Sequence, residues 1–262
     1  MSSFVTSVSE LGDRAAEAVA RQMEQSLRSV LVGRTTDAPG YLRMVTGEPH
    51  PFANFAFLID PDSRENVESA MAPLRPETAP ISAICPRKPS SHVHDLLESY
   101  GLQNHGDMPS MAVDIDDMSS SELPSGYRFA RCFLADVDAW VQGLTVGFGV
   151  PESMSQMFSP AALPENVADD APAQWFGIFK GDQVVATSVL TLIDGLAGIY
   201  CVSTLPEERG KGLGAYVTAE ALRLAAQVGY RVGVLQASEM GFPVYNRLGF
   251  VTVGDIPLYV RT

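Results

Sequence analysis

Arg209-Gly210-Lys211-Gly212-Leu213-Gly214 is the stretch on which the fold turns. A strand-like run, Leu196 to Thr204, leads into it, and a helix-like run, Ala215 to Val228, follows it. A glycine-rich turn at a helix start exposes unpaired backbone N–H groups at the positive end of the helix dipole. That is a phosphate-binding device built from main chain. Glycine tolerates positive φ and lets a ligand approach the backbone closely. Arg209 and Lys211 add positive charge to the turn. By itself the stretch reads equally as a solvated, glycine-rich loop. It is not a Walker loop, because Lys211 is followed by Gly212 where Ser or Thr is required. Nor does it fit the dinucleotide fingerprint: Gly214 arrives one residue early, and the run Tyr230 to Leu235 ends without an acid.

The rest of the chain alternates helix and strand patterns. Val8, Leu11, Ala15, Val19, Met23, Leu27 and Leu31 recur at three- and four-residue steps, which predicts one long amphipathic helix over Phe4 to Leu31. Strands are predicted at Tyr41–Thr46, Asn54–Ile59, Ile81–Cys85 and Ser110–Ile115, with helices over Ser63–Leu74 and Ser90–Tyr100. Asp116 to Gly126 is polar, with serines and Pro124, and reads as a linker. Beyond it come a strand at Tyr127–Ala130, a helix over Ala135–Val146, and a long loop with short helices over Gly147–Ala173. Strands at Ala173–Lys180, Gln183–Leu192 and Leu196–Ser203 are joined by the turns Gly181-Asp182 and Asp194-Gly195. After the glycine turn and its helix, a strand at Arg231–Leu235, a short helix and a strand at Val251–Val260 complete the chain.

One internal repeat stands out. Gly101 to Met111 aligns without a gap on Gly249 to Tyr259, sharing the frame Gly-apolar-x-x-x-Gly-Asp-apolar-Pro. A period this long suggests a duplicated domain rather than a solenoid. At the same offset Ser238 falls on Ser90, Tyr245 on Leu97 and Arg209 on Pro61.

The glycine turn and its lead-in, Val202 to Gly212, resemble the acyl-CoA pyrophosphate loop of the GNAT N-acetyltransferase superfamily, Arg/Gln-x-x-Gly-x-Gly/Ala, supplied here by Arg209, Gly212 and Gly214. Tyr245-Asn246-Arg247-Leu248-Gly249-Phe250 resembles the family's second signature, a helical tyrosine just before Gly-Phe. The resemblance covers Pro124 to Thr262. It implies an α/β fold with a mixed sheet, in tandem with a degenerate first half that lacks the loop and the tyrosine. The expected units are residues 1–118, a linker at 119–126, and the acetyltransferase domain at 127–262. Acetyl-CoA is implied as acyl donor, with no metal. Main chain of Val202, Ser203 and Thr204 is expected to pair with the pantetheine arm. Amides of Arg209, Gly210, Lys211, Gly212, Leu213 and Gly214 are expected to hold the pyrophosphate. Ser238 stands where the family usually has Asn. Tyr245 is the expected general acid, since a phenol stays protonated at neutral pH and can protonate a departing thiolate. Many relatives carry a glutamate base on the strand before the loop; Leu196 to Thr204 contains no acid, and no base is assigned.

Composition limits the partners. The chain has 262 residues, 46% hydrophobic and 19% charged, enough for a large core. Its net charge of −13 disfavours nucleic acid and anionic membranes. Residues 1–124 hold 18 acidic and 9 basic side chains, a net of −9 that favours a cationic small-molecule amine as acceptor. No apolar run is long enough to span a bilayer, and Met1 to Gly12 lacks a signal-peptide pattern, so a cytoplasmic enzyme is expected. Cys85, Cys132 and Cys201 lie far apart, without metal-ligand spacing. His92 and His94 are two apart on a predicted helix, wrong for a shared metal. His50 and Asn54 flank Pro49-His50-Pro51, a turn that can reach a substrate cleft. A non-catalytic acyl-CoA-binding module and an O-acyltransferase are the competing readings. Oligomeric state and acceptor identity are not legible.

Overall fold

The amphipathic run that opens the chain is helical, but not in one piece. In the computed structural model, which describes residues 4–74, 79–119, 122–160 and 168–262, it forms α1 (Val8–Leu11) and α2 (Ala15–Val30), joined by a 3₁₀ turn. Gly12 breaks the expected single helix by taking φ 51°, a conformation closed to most residues. Ser7 caps α1 by accepting the Glu10 N–H at 3.2 Å. Residues 120–121 of the expected linker and 161–167 of the expected long loop lie outside the described residues.

The predicted strands form, with one addition. The order is β1 (Thr36–Ala38), β2 (Tyr41–Val45), β3 (Asn54–Phe57), α3 (Arg64–Met71), β4 (Ile81–Ile84), α4 (Ser91–Ser99) and β5 (Gln103–Asp114). Then follow β6 (Arg128–Cys132), α5 (Val137–Phe148), α6 (Glu152–Met157), β7 (Ala173–Lys180), β8 (Gln183–Ile193) and β9 (Leu196–Thr204). The chain ends with α7 (Leu213–Gln227), β10 (Val232–Gln236), α8 (Phe242–Leu248) and β11 (Val251–Arg261). β1 is the strand that the sequence pattern does not show, and β5 starts well before the expected Ser110.

All eleven strands join one sheet, ordered β1-β2-β3-β4-β11-β5-β10-β9-β8-β7-β6. The β3–β4 and β9–β10 pairs are parallel and the rest antiparallel. The centre of the sheet is an exchange. β11, the last strand of the chain, pairs with β4, while β5 pairs with β10. The two exchanged strands also pair with each other, and they carry the two copies of the repeat. Asp107 faces Pro257, Met108 faces Ile256 and Pro109 faces Asp255; further out, Asn104 faces Tyr259 and Met111 faces Thr252. The repeated frame therefore lies against itself about a local two-fold through Met108 and Ile256.

Helices cover both faces. α3 and α4 pack Val67, Met71, Val93 and Leu97 on one face of the first-half strands. On the same face further along, α7 and α8 bury Val217, Leu222, Tyr245 and Leu248. The opposite face carries α2 and α5. Leu11, Ala15 and Val19 sit on Ala112, Val232 and Val234. Val19 is fully buried, an arrangement worth roughly 1.5–3 kcal/mol relative to exposure. α2 thus opens the first half yet lies over β5 and over β8 to β11. A buried polar cluster fixes it there. Gln22 Nε2 donates to Thr191 Oγ1 at 2.8 Å, Ser26 Oγ meets the same oxygen at 2.7 Å, and the Tyr200 hydroxyl donates to Gln22 Oε1. Gly198 makes room for Gln22: a Cβ there would lie 2.1 Å from its Nε2.

Candidate active site

Parallel strands β9 and β10 start as neighbours and separate. They pair at Ala197–Gly233 and Gly198–Val234, and no further. Beyond Gly198, β9 keeps β8 on one side and leaves its other edge open. A bulge re-aims the strand just there: the β8–β9 register slips between Thr187 and Val189, and Cys201 takes φ 51°. The bulge is held from above by α5. A Cβ on Gly147 would lie 2.6 Å from Ser203 Oγ, and one on Gly143 would lie 2.8 Å from the Val184 carbonyl. Ser203 Oγ bonds Thr187 Oγ1 at 2.8 Å and donates to the Gly143 carbonyl at 3.2 Å. Val202 and Thr204 are half-buried on the open-edged segment.

The glycine turn follows at once. Gly210 and Gly212 have φ 78° and 79°, and a Cβ at either would meet no atom within 4 Å. Gly212 stands immediately before α7. Among the described residues, the amides of Gly210 through Ala215 donate to no acceptor in the protein. They form an open nest at the start of a fifteen-residue helix, the arrangement that binds an anion. The Arg209 amide is not part of it, since it points to the Pro206 carbonyl at 3.4 Å.

The two cations of the turn have other tasks than expected. Arg209 donates from Nε to the Thr204 carbonyl at 3.2 Å and from Nη2 to the Gly147 carbonyl at 2.9 Å, tying the turn to β9 and α5. Lys211 binds Glu208 at 2.5 Å, and Lys180 binds the same carboxylate at 2.7 Å. Tyr127 donates its hydroxyl to Glu208 as well. Hydrogen bonds from Lys180, Lys211 and Tyr127, in that order, hold the Glu208 carboxyl down to about 2. The nest is a main-chain cradle, with side chains that shape it.

Behind the bulge lies a cavity of about 430 Å³, within the size range of small-ligand sites. Its walls are mostly apolar, among them Met23, Leu27, Phe52, Met108, Leu144 and Phe158. They come from both halves of the chain. Tyr200 and Cys201 of the bulge line it, so the cavity adjoins the open edge of β9. His50 reaches it, as the proline-flanked turn allows; Asn54 instead spends its amide on the backbone of Glu48, His50 and Pro80. His50 Nδ1 accepts the Phe52 N–H at 3.2 Å, which puts the proton of the neutral ring on Nε2. Burial lowers its pKa, and burial raises those of Cys201, to about 12, and of Tyr200. At neutral pH Cys201 and Tyr200 therefore stay protonated and the His50 ring stays neutral.

Tyr245 lies on α8, 8% exposed, its ring tilted against Phe250 at 5.8 Å. Its hydroxyl has no hydrogen-bond partner among the described residues, and burial raises its pKa well above the ordinary value. Ser238 is exposed beyond the end of β10, where its Oγ accepts the Gly241 N–H at 3.1 Å and its carbonyl accepts the Phe242 N–H at 2.9 Å. It braces the entry to the tyrosine helix, whose N-cap is Gly241. Gln236 and Ser110, on the floor between these elements, are polar residues that the sequence reading did not single out. His94 bonds Tyr259 at 3.0 Å, away from His92. Among the described residues, no group of His, Cys, Asp and Glu side chains is placed to hold a metal ion, and no helix is long and apolar enough to cross a membrane.

Comparison with known proteins bears on this geometry. The model of the acetyltransferase (GNAT) family matches residues 137–250, from α5 through the bulge, the nest and the tyrosine helix. This segment is a GNAT-family N-acetyltransferase domain, and the protein is an enzyme of that class. A mycothiol acetyltransferase from Streptomyces scabiei is 24% identical over 247 residues, which is 87% of this chain and 78% of that protein. A GCN5-related N-acetyltransferase from Kribbella flavida superposes with a TM-score of 0.66 at 22% identity, covering 94% of this chain and 95% of its own. A tandem GNAT protein from the clavulanic acid biosynthesis pathway gives a TM-score of 0.54 at 11% identity, with 94% and 95% covered. The likeness to these two structures is one of fold and extends beyond the GNAT domain to nearly the whole chain.

Proposed function

We propose that the protein transfers an acetyl group from acetyl-CoA to the primary amine of a small molecule, by direct attack of the amine on the thioester. The observation that carries this is the unpaired nest of Gly210 to Ala215 beside the divergence of β9 from β10. The nest suits a pyrophosphate, and the open edge of Val202 to Thr204 suits the amide groups of a pantetheine arm. Ser238, bonded at the entry to the tyrosine helix, contacts the pantetheine arm in place of the family's usual Asn. The acceptor enters from the cavity behind the bulge and attacks as the free amine, with no base assigned to it. Nitrogen bonds the acetyl carbon, the C–S bond breaks, the thiolate takes a proton from Tyr245, and the proton shed by the acylated nitrogen passes to solvent, from which Tyr245 is reprotonated. A core tyrosine would have its hydroxyl satisfied; this one is free to donate. The acidic first half attracts a cationic amine from a distance, since no acid lines the cavity among the described residues. Release of CoA thiol from acetyl-CoA with a panel of amines and alcohols tests the reading. No turnover with tight acetyl-CoA binding would make the protein a binding module, and turnover with alcohols alone would make it an O-acyltransferase. We place it in the cytoplasm.

We further read residues 1–118 as a degenerate copy of the fold of residues 127–262, with 119–126 as linker. The local two-fold between β5 and β11 supports this, as do the matching parallel pairs β3–β4 and β9–β10. In the first half the turn Asp60-Pro61-Asp62-Ser63 precedes α3, where the nest precedes α7. The N–H of Asp62 donates to Asp60 Oδ1 at 3.4 Å and that of Asn66 to Ser63 Oγ at 3.3 Å, so side chains of the turn already take up donors there, and Asp62 adds a carboxylate paired with Arg87. That turn repels a pyrophosphate.

A further inference from the structure

The polar groups that reach the cavity fall into two sets. Ser26 is bonded to Thr191 and to the Gln22 carbonyl, Ser155 accepts from Thr145 at 2.8 Å, and Tyr200 donates to Gln22. These groups are satisfied inside the protein. Gln236 is not. It ends β10 where β9 has turned away, it lines the cavity, and neither its Oε1 nor its Nε2 has a partner among the described residues, although both atoms are buried. Directly across the β5–β10 ladder stands Ser110, 1% exposed, whose Oγ is equally without a partner. Alternation along the strands puts both on the α2 face, with Met108, Ala112, Val232 and Val234. Such orphaned groups are costly in a native protein and are found where a ligand completes them. The chemistry of the pair states what completes it. A glutamine offers an acceptor and a donor side by side. A carboxylate would answer Nε2 and leave Oε1 alone, and no cationic side chain lines the cavity to balance its charge. An ester accepts only. A primary carboxamide answers both atoms at once.

We propose that Gln236, backed by Ser110, is the specificity-determining residue for the acceptor, and that it recognises a primary carboxamide on an amine whose hydrocarbon body fills the apolar walls. His50, which lines the same cavity with its proton on Nε2, supplies one further donor. This rests on the acetyl-transfer reading above and deepens it.

The test uses three amines of one body: phenylalaninamide, phenylalanine methyl ester and phenethylamine. Each is assayed for kcat/KM with acetyl-CoA on the wild-type enzyme and on Gln236→Leu. Comparing the two proteins cancels differences in amine basicity. Wild type should favour phenylalaninamide over phenethylamine by at least about tenfold more than the variant does, and the ester, which answers Nε2 alone, should lose less than the amide on substitution. The variant should unfold at the same temperature or higher, because an apolar side chain replaces two orphaned polar atoms. Gln236→Met, unbranched, repeats the comparison if leucine does not fold. The same preference in both proteins overturns the proposal. Calorimetric binding of phenylalaninamide to the CoA-saturated proteins separates the two readings. If no amine is turned over but wild type binds the amide at least about tenfold tighter than the variant, acetyl transfer fails and the role of Gln236 stands. Equal or absent binding refutes the role of Gln236.

Discussion

Replacing Gly212 by glutamate isolates what the nest does. Gly212 sits at φ 79°, so any L-residue there takes a left-handed conformation that costs about 1–2 kcal/mol. Packing adds nothing, because a Cβ at this position meets no atom within 4 Å. Gly212→Ala therefore carries the backbone strain alone, and Gly212→Glu carries the same strain plus a carboxylate among the free amides. If those amides hold a pyrophosphate, the glutamate competes for them and repels the ligand. One charge-assisted contact is worth roughly 1.5–3 kcal/mol, so acetyl-CoA should bind the glutamate variant roughly ten- to a hundredfold more weakly than the alanine variant. Urea unfolding of both variants checks that their stability losses match. Calorimetric titration with acetyl-CoA then reads the affinity. A folded glutamate variant that binds like the alanine variant would refute the cradle, and with it the placement of the acyl donor.

Tyr245→Phe should lower kcat by about 10²-fold and leave acetyl-CoA affinity nearly unchanged, and steady-state rates with near-wild-type kcat would return Tyr245 to a packing role. Glu208 gives a pH signature. Its carboxyl is held at about 2 against an ordinary 4.5, so its stabilising contribution is full above pH 4.5 and fades as pH falls towards 2. The gap in melting temperature between wild type and Glu208→Gln should shrink through that window, and a gap independent of pH would disprove the arrangement of charges. Saturating titration should give one acetyl-CoA per chain, because Asp62 closes the first-half turn; a stoichiometry of two would sink the degenerate-copy reading.

The second half was legible because its signals are local. Three glycines before an amphipathic run announce a nest, and Tyr245 before Gly249-Phe250 announces its helix. The roles of Arg209 and Lys211 were not, since Arg209 reaches the Gly147 carbonyl on α5, and Lys211 shares Glu208 with Lys180 of β7. Positive charge in a turn says nothing about which acceptors will reach it first. Gln236 was hidden for a similar reason. A polar residue at the end of Val232-Gly233-Val234-Leu235 reads as a strand end meeting solvent, and only the departure of β9 shows that it is buried beside a cavity. His50 was reachable because proline on both sides fixes an exposed turn. The break at Gly12 was discernible in principle, but seven apolar residues at helical spacing outweighed one glycine.

The exchange of β5 and β11 is the feature that local sequence signals could not give, and the site depends on it. The repeat shows that both strands carry the same Gly-apolar-x-x-x-Gly-Asp-apolar-Pro frame, so either satisfies the edge of β4 or of β10 by pattern alone. Choice between them rests on non-local contacts. In the observed arrangement β5 runs beside β10 and brings Met108 and Ser110 of the first half next to Gln236 of the second. α2 crosses with it, setting Met23, Ser26 and Leu27 over the same floor. In the unexchanged alternative, β11 would lie beside β10 and Ser110 would go with the first half. The cavity would then lose part of its floor from the half that carries the nest and the tyrosine. If the first half is the degenerate copy proposed above, its part in the enzyme is to wall the cavity proposed for the acceptor rather than to hold an acyl donor.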